Sequence, residues 1–288
     1  MLKSLTVTKG DMYLKQFIKD VLDHGSYDQE PRPKYVDGTP AHTYSINHVF
    51  KTYDIAKGES PLITLRPIAL KSAIGELLWI YQDQSNDLNL LKEKYGVTWW
   101  DNWDIGNRTI GSCYGYTVKK HNLINNLLDG LKNNPDGRRH IMELWQEDDF
   151  KEPHGLKPCY HETNFSVRYE GDTTYLDMLL VARSSDHLTA GCINEMQYLI
   201  LQYLVARHVG MEVGRFSVII ANCQIYDRHI ENAKIMLDRQ SIPCNPVIFL
   251  NPEKKNFFDF TVDDIKILYV PRDIIKEKNK QLKFELGI

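Results

Sequence analysis

Residues 165–184, FSVRYEGDTTYLDMLLVARS, decide the fold. Two strand signals, FSVRY and YLDMLLVARS, flank the turn-forming EGDTT, so the chain folds back here as paired strands. Immediately upstream, GLKPCYHETNF puts Cys159 behind a proline at the mouth of the first strand, with an alternating run after it. Downstream, NEMQYLILQYLVARHVG reads as the most apolar helix of the chain, and RFSVIIANCQIY as a buried strand carrying Val218, Ile219 and Ile220.

Toward the N-terminus, GDMYLKQFIKDVLDHG spaces Met12, Phe17, Ile18, Val21 and Leu22 roughly along one helical face and stops at Gly25. The proline- and aspartate-rich SYDQEPRPKYVDGTPAHT is a long exposed loop, and HTYSINHVFKTYDI is strand-like. In LRPIALKSAIGELLWIYQD, Ile74, Leu77, Leu78 and Tyr81 repeat at helical spacing. HNLINNLLDGLKNNP is an amphipathic helix and RRHIMELW alternates as a strand, which leaves Arg138 and Arg139 where helix hands over to strand. The tail FFDFTVDDIKILYV reads as strand, turn and strand. No repeat or interdomain linker breaks the 288 residues. The expectation is one α+β domain over residues 1–288, with a mostly antiparallel sheet covered by helices.

Thirty-five basic side chains against 38 acidic ones leave a net charge of -3, so no overall field draws the protein to nucleic acid or an anionic membrane. Any anion must be met by a local cluster. The opening MLKSLTVTKGDMYLKQF lacks a signal-peptide core and no later run is apolar enough to cross a bilayer, which points to the cytoplasm. Five cysteines without CxxC spacing argue against a disulfide framework and against a structural zinc site, and no metal is expected.

Arg32, Arg138, Arg139 and Arg183 all fall at element ends, where anion ligands gather. A guanidinium fork matches phosphate oxygens two at a time, so their convergence would make a phosphomonoester site, whereas dispersed they are solvated surface charges. Cys159 is either a buried inert thiol or, with arginines beside it, a nucleophile. His161 raises a Cys-His hydrolase, although alternation alone does not join the two side chains. Glu76 lies inside an apolar helix, which suits a carboxyl of raised pKa used in proton transfer. Asp186, Asn194 and Asn222 offer groups able to read a heterocycle edge, and Trp99, Trp100 and Trp103 are core or a stacking platform.

These residues together resemble the folate-dependent thymidylate synthase family over nearly the whole chain. GELLW, WWDNW, IGSCYGY, RRH after a helix, LKPC, ARSSD, the Asn of INEMQY, QIYDRH and FFDFTVDDIKILYV occur in the family's order. Each motif is short; the ordered series is specific. The resemblance implies a homodimer joined through a large curved sheet. It also implies transfer of a one-carbon unit from 5,10-methylenetetrahydrofolate, as cosubstrate, to C5 of dUMP.

Carried over by position, it implies that Cys159 adds to C6 of the uracil and that Glu76 and Tyr114 handle protons. Arg32, Arg183 and Ser184 would hold the 5'-phosphate, joined by Arg138 and Arg139 from the other subunit. Asn194 would read O4 and N3, and Gln224 and Tyr226 would meet the sugar. Asp186 would contact the pterin, with Trp99, Trp100, Leu156, Ala190 and Gly191 on the folate wall. The C-terminal FELGI, ending at Ile288, would close over the site. Three departures stand out: Gln224 replaces a histidine, AGCIN replaces the Gly-x-Pro-Phe-Asn pattern, and Tyr160 replaces the histidine that often follows the nucleophile. Glutamine keeps a donor and an acceptor but cannot carry a proton. A deoxyuridylate hydroxymethylase on the same scaffold is the alternative activity, and a non-catalytic dimer is the alternative class.

Overall fold

The computed structural model describes residues 4–151 and 155–288. In chain order the elements are α1 (Lys9–His24), β1 (Ser26–Tyr27), β2 (Thr43–Asp54), α2 (Leu70–Tyr81), α3 (Leu88–Tyr95), α4 (Gly115–Lys120), α5 (Leu123–Asn133), β3 (Ile141–Glu143), β4 (Tyr160–Glu170), β5 (Thr173–Asp186), α6 (Cys192–Val209), β6 (Glu212–Tyr226), α7 (Ile230–Asp238), β7 (Val247–Leu250), β8 (Ile265–Leu268) and α8 (Arg272–Lys278).

The decisive hairpin is present. β4 and β5 pair antiparallel from Tyr160↔Ala182 to Glu170↔Thr173, leaving Gly171 and Asp172 as the loop. Gly171 has φ 58°, which the first loop position of a type II′ turn requires and a side chain would resist. Phe165↔Met178 and Val167↔Leu176 face the helices, whereas Asn164↔Leu179 and Glu162↔Val181 face outward.

The sheet runs in the order β1-β2-β6-β5-β4-β3. Its neighbours are antiparallel except the central β5–β6 pair, which is parallel through the crossover helix α6. α6 packs on β5 and β6, α2 packs on α6, and α1 lies against β2 beside α7. One core of buried apolar side chains fills the layer between sheet and helices.

Four expectations need correcting. In α1, Met12 is exposed and Leu14 takes a place in the buried face, because Leu14, Phe17, Ile18 and Val21 recur at i, i+3, i+4 and i+7 while Met12 falls outside that stripe. The strand read in RRHIMELW shortens to Ile141–Glu143. FFDF is not a strand: Phe257–Asp259 is a 3₁₀ turn whose Phe257 is fully buried, and β8 pairs with β7 in a separate two-stranded sheet. The pattern could not separate an apolar turn from a strand. The loop at residues 26–43 is largely irregular, yet Tyr35 and Ala41 are buried beside Tyr226.

Candidate active site

Because β5 and β6 run parallel, both finish at the same edge of the sheet, and antiparallel β4 begins there. Ser184 lies opposite Asn222 and Asp186 opposite Gln224, while the Arg183 N–H donates to the Cys159 carbonyl. Cys159, Arg183, Ser184, Asp186, Gln224 and Tyr226 are thereby gathered from three strands. A register shift between Tyr160 and Glu162 bends β4 at its mouth, directly after the cysteine.

Arg183 fixes the segment that carries Cys159. Its Nε donates to Pro158 O (2.9 Å) and its Nη2 to Lys157 O (3.0 Å), and Nη2 stands 3.6 Å from Cys159 Sγ. The guanidinium also lies over the Trp145 ring, 5.6 Å from its centre. Cys159 is half-buried, whereas the other four thiols are buried. Burial pushes the Cys159 thiol up, Arg183 and then Arg32 pull it back, and Asp186 adds to the rise. Below it, Tyr114 is buried with φ 49°, and its hydroxyl accepts the Cys159 N–H at 3.3 Å. Burial and the neighbouring Cys159 push that phenol well up, so it stays protonated at neutral pH.

A second cluster sits on the helices. Glu76 on α2 is buried, and its Oε2 accepts from the indole N–H of Trp99 and from that of Trp100 (2.6 Å). Its Oε1 accepts from Gln197 Nε2 at 3.0 Å. Burial raises the Glu76 pKa, and the donors from Gln197, Trp100 and Trp99 offset it only in part. Asn194, half-buried in the first turn of α6, donates from Nδ2 to Gln197 Oε1 at 3.3 Å. The chain Asn194–Gln197–Glu76–Trp99/Trp100 therefore links a half-buried amide to a buried carboxyl.

At the sheet end, Asp186 Oδ1 is buried without a hydrogen-bond partner. Burial raises its pKa, opposed by the neighbouring His229 and Arg66. A buried acceptor left open fits an N–H donor of a ligand, such as a reduced pterin would offer. Trp100 packs edge-on to Tyr114 and Trp103, and Leu156 packs against the core. Ala190 is exposed, whereas Gly191 is buried: a Cβ there would stand 2.2 Å from His187 Nδ1. The C-terminus is docked. Ile288 exchanges backbone hydrogen bonds with Lys34 (2.8 and 2.9 Å), Tyr226 OH reaches Gly287 O (3.5 Å), and Arg228 pairs with Glu285 (2.9 Å).

Not every candidate converges. Arg32 is exposed but acts electrostatically on Cys159 and Tyr226, whereas Arg138 and Arg139 are exposed and are not among the charges acting on the thiol. Within one chain, two of the four arginines gather rather than all four. Asn222 donates to Asn47 across the sheet (3.3 Å) while its Oδ1 is buried without a partner, and His161 Nδ1 pairs with Glu143 (3.1 Å), an arrangement that does not join His161 to Cys159 as a hydrolase pair. Sequence reasoning missed Gln197, the third residue after Asn194, and Arg66. Arg66 is buried and donates from Nη2 to Leu188 O (2.7 Å) and Thr189 O (2.8 Å), under the turn joining Asp186 to α6. Their signal was weak: one polar residue each inside an apolar run.

The family model described as thymidylate synthase matches residues 12–279. The chain belongs to the thymidylate synthase family. A thymidylate synthase of Lactococcus lactis subsp. lactis (strain IL1403) is 47% identical over 285 residues, covering 98% of this chain and 100% of the relative. One from Streptococcus pneumoniae (strain 70585) is 46% identical over 284 residues, with 98% and 100% covered. The solved structure of a thermostable thymidylate synthase A from Bacillus subtilis superposes with a TM-score of 0.86 at 36% identity, covering 97% of this chain and 99% of that one. As a member of the family the chain is a methyltransferase-type enzyme that converts dUMP to dTMP, and the hydroxymethylase alternative is not favoured. Among the described residues no group of His, Cys, Asp and Glu is placed to hold a metal ion, and no helix is long and apolar enough to cross a membrane.

Proposed function

We propose that Cys159 carries the methylation of dUMP as a covalent nucleophile. The Cys159 thiolate bonds to C6 of the pyrimidine, and the C5–C6 electron pair moves toward C5 and O4, making C5 nucleophilic. Arg183 and Arg32, with Ser184, hold the 5'-phosphate, and the Arg183 guanidinium 3.6 Å from the sulfur is the observation that carries this reading, because it favours the thiolate in a buried setting. Asn194 meets O4 and N3, Glu76 exchanges a proton at O4, and Tyr114 takes part in removing the C5 proton. Gln224 and Tyr226 face the sugar; glutamine can bond a hydroxyl there but cannot relay a proton. Loss of the C5 proton and cleavage of the S–C6 bond together re-form the C5=C6 double bond and free the thiolate.

5,10-Methylenetetrahydrofolate, when bound, supplies the one-carbon unit and the hydride. Asp186 would hold it by a pterin N–H, between Trp99, Trp100, Leu156 and the Ala190–Gly191 turn, under the tail ending at Ile288. The active unit is a homodimer of single-domain chains joined through the outer sheet face, with Arg138 and Arg139 supplied to the partner's phosphate site. A cytoplasmic location belongs to the same proposal, supported by five cysteines that all remain thiols.

Cys159→Ala should abolish formation of dTMP while dUMP still binds, since the phosphate contacts are separate from the thiol. Product analysis and equilibrium binding read the two arms. Turnover by the alanine variant within about tenfold of wild type would overturn the nucleophile assignment.

A further inference from the structure

Gln197 is buried on α6 and makes three hydrogen bonds whose directions can be deduced. Its Nε2 donates to the Ala73 backbone carbonyl (3.0 Å) and to Glu76 Oε1 (3.0 Å). A backbone carbonyl can only accept, so the group facing Ala73 is the NH₂ and the remaining oxygen must face Asn194. Gln197 Oε1 is an acceptor, so Asn194 must offer it an N–H, at 3.3 Å. That leaves Asn194 with one N–H and Oδ1 for a ligand. A uracil edge presents O4 to accept and N3–H to donate, which is the complement of that pair; a cytosine edge presents the reverse. Turning the Asn194 amide over to serve cytosine would set its Oδ1 against Gln197 Oε1, acceptor on acceptor.

We infer that Gln197 is a positioning residue for base choice: anchored by Ala73, it holds the Asn194 amide in the orientation that selects uracil over cytosine. The inference rests on the reading that Asn194 faces the base. It deepens that reading, since an asparagine alone could serve either edge. The restraint comes from a different helix, through the Ala73 carbonyl, whose role as acceptor cannot change.

The test is equilibrium binding of dUMP and dCMP to full-length wild type, Gln197→Met, Gln197→Ala and Gln197→Glu. The methionine and alanine variants remove the acceptor facing Asn194, so the ratio Kd(dCMP)/Kd(dUMP) should fall about tenfold, or ~1.4 kcal/mol. Gln197→Glu keeps an oxygen toward Asn194 and should retain the wild-type ratio even as turnover drops, which a merely structural role for the position would not produce. A ratio within about twofold of wild type in whichever of Gln197→Met and Gln197→Ala folds would overturn the inference, as would a ratio lost equally in Gln197→Glu. A wild-type protein that binds dCMP as tightly as dUMP would instead overturn the reading of Asn194 itself.

Discussion

A carboxyl at position 76 has three N–H donors aimed at it and is still held above its ordinary pKa by burial. Because the folded state binds that proton more tightly than the unfolded chain, the stability linked to Glu76 is fully present below the unfolded-state pKa. It is lost as pH rises through the raised folded-state value. Glu76→Gln removes the titration. Its stability relative to wild type should therefore climb as pH rises from the ordinary carboxylate range of about pH 4, while kcat falls roughly 10²- to 10⁴-fold. Urea unfolding of both proteins at a series of rising pH values reads the first effect; a gap that does not change with pH would rule out a proton held at Glu76. The unusual setting of Glu76 was legible because a carboxylate interrupts an apolar helical repeat. Gln197 was not, since its partners Glu76 and Ala73 are more than a hundred residues away in the chain.

Between Asp186 and Asn194 the chain makes a five-residue π-turn, His187–Gly191, and a buried polar cluster lies behind it. Lys51 on β2 donates to Glu195 and to His187 Nε2 (2.8 Å), Tyr53 OH donates to Glu195 (2.8 Å), and Ser185 meets His187 Nδ1 (3.2 Å). Burial and the Lys51 ammonium hold the His187 imidazole neutral, far below its usual pKa. Its Nε2 therefore accepts from Lys51, and its Nδ1–H points to Ser185. The Lys51 and Glu195 side chains are only 4% and 3% exposed, so neither has water to fall back on. Lys51→Met should cost about 3–5 kcal/mol of stability by stranding Glu195, whereas Lys51→Met with Glu195→Leu should recover most of it. Chemical denaturation of the single and double variants measures this; a single-variant loss below about 1 kcal/mol would mean that the pair is hydrated in solution. Sequence periodicity could place Lys51 on a strand and Glu195 on a helix. It could not show them meeting, because the pairing joins residues 144 positions apart in the chain.

On the outer face of the sheet, Phe50, Ile219 and Val181 form a cross-strand row, with Phe50 58% exposed. An exposed apolar row of this kind supports the proposed subunit contact through this face. Arg138 and Arg139, exposed just before β3, stand apart from the thiol of their own chain. Both observations support a shared site. Cys159→Ala and Arg139→Ala, each inactive alone, should regain activity on subunit exchange, up to about a quarter of wild type when equal amounts mix at random, because half the chains pair as hybrids with one intact site each. An affinity tag on one variant isolates the hybrids by capture; verified hybrids without activity would show that each chain builds its site alone.

By itself the sequence determined the strands, the main helices and the residue types able to do the chemistry, because side-chain periodicity and motif order are local and survive without contacts. Where the local code is ambiguous, as at the buried turn Phe257–Asp259, it erred. Tertiary structure alone decided that β5 and β6 run parallel, and so bring Asp186 and Tyr226 to the edge where Cys159 begins β4. It also decided which buried polar groups find partners. Hydrogen bonds inside the core form between whichever atoms packing brings within about 3 Å, and that distance is set by the whole fold rather than by spacing along the chain.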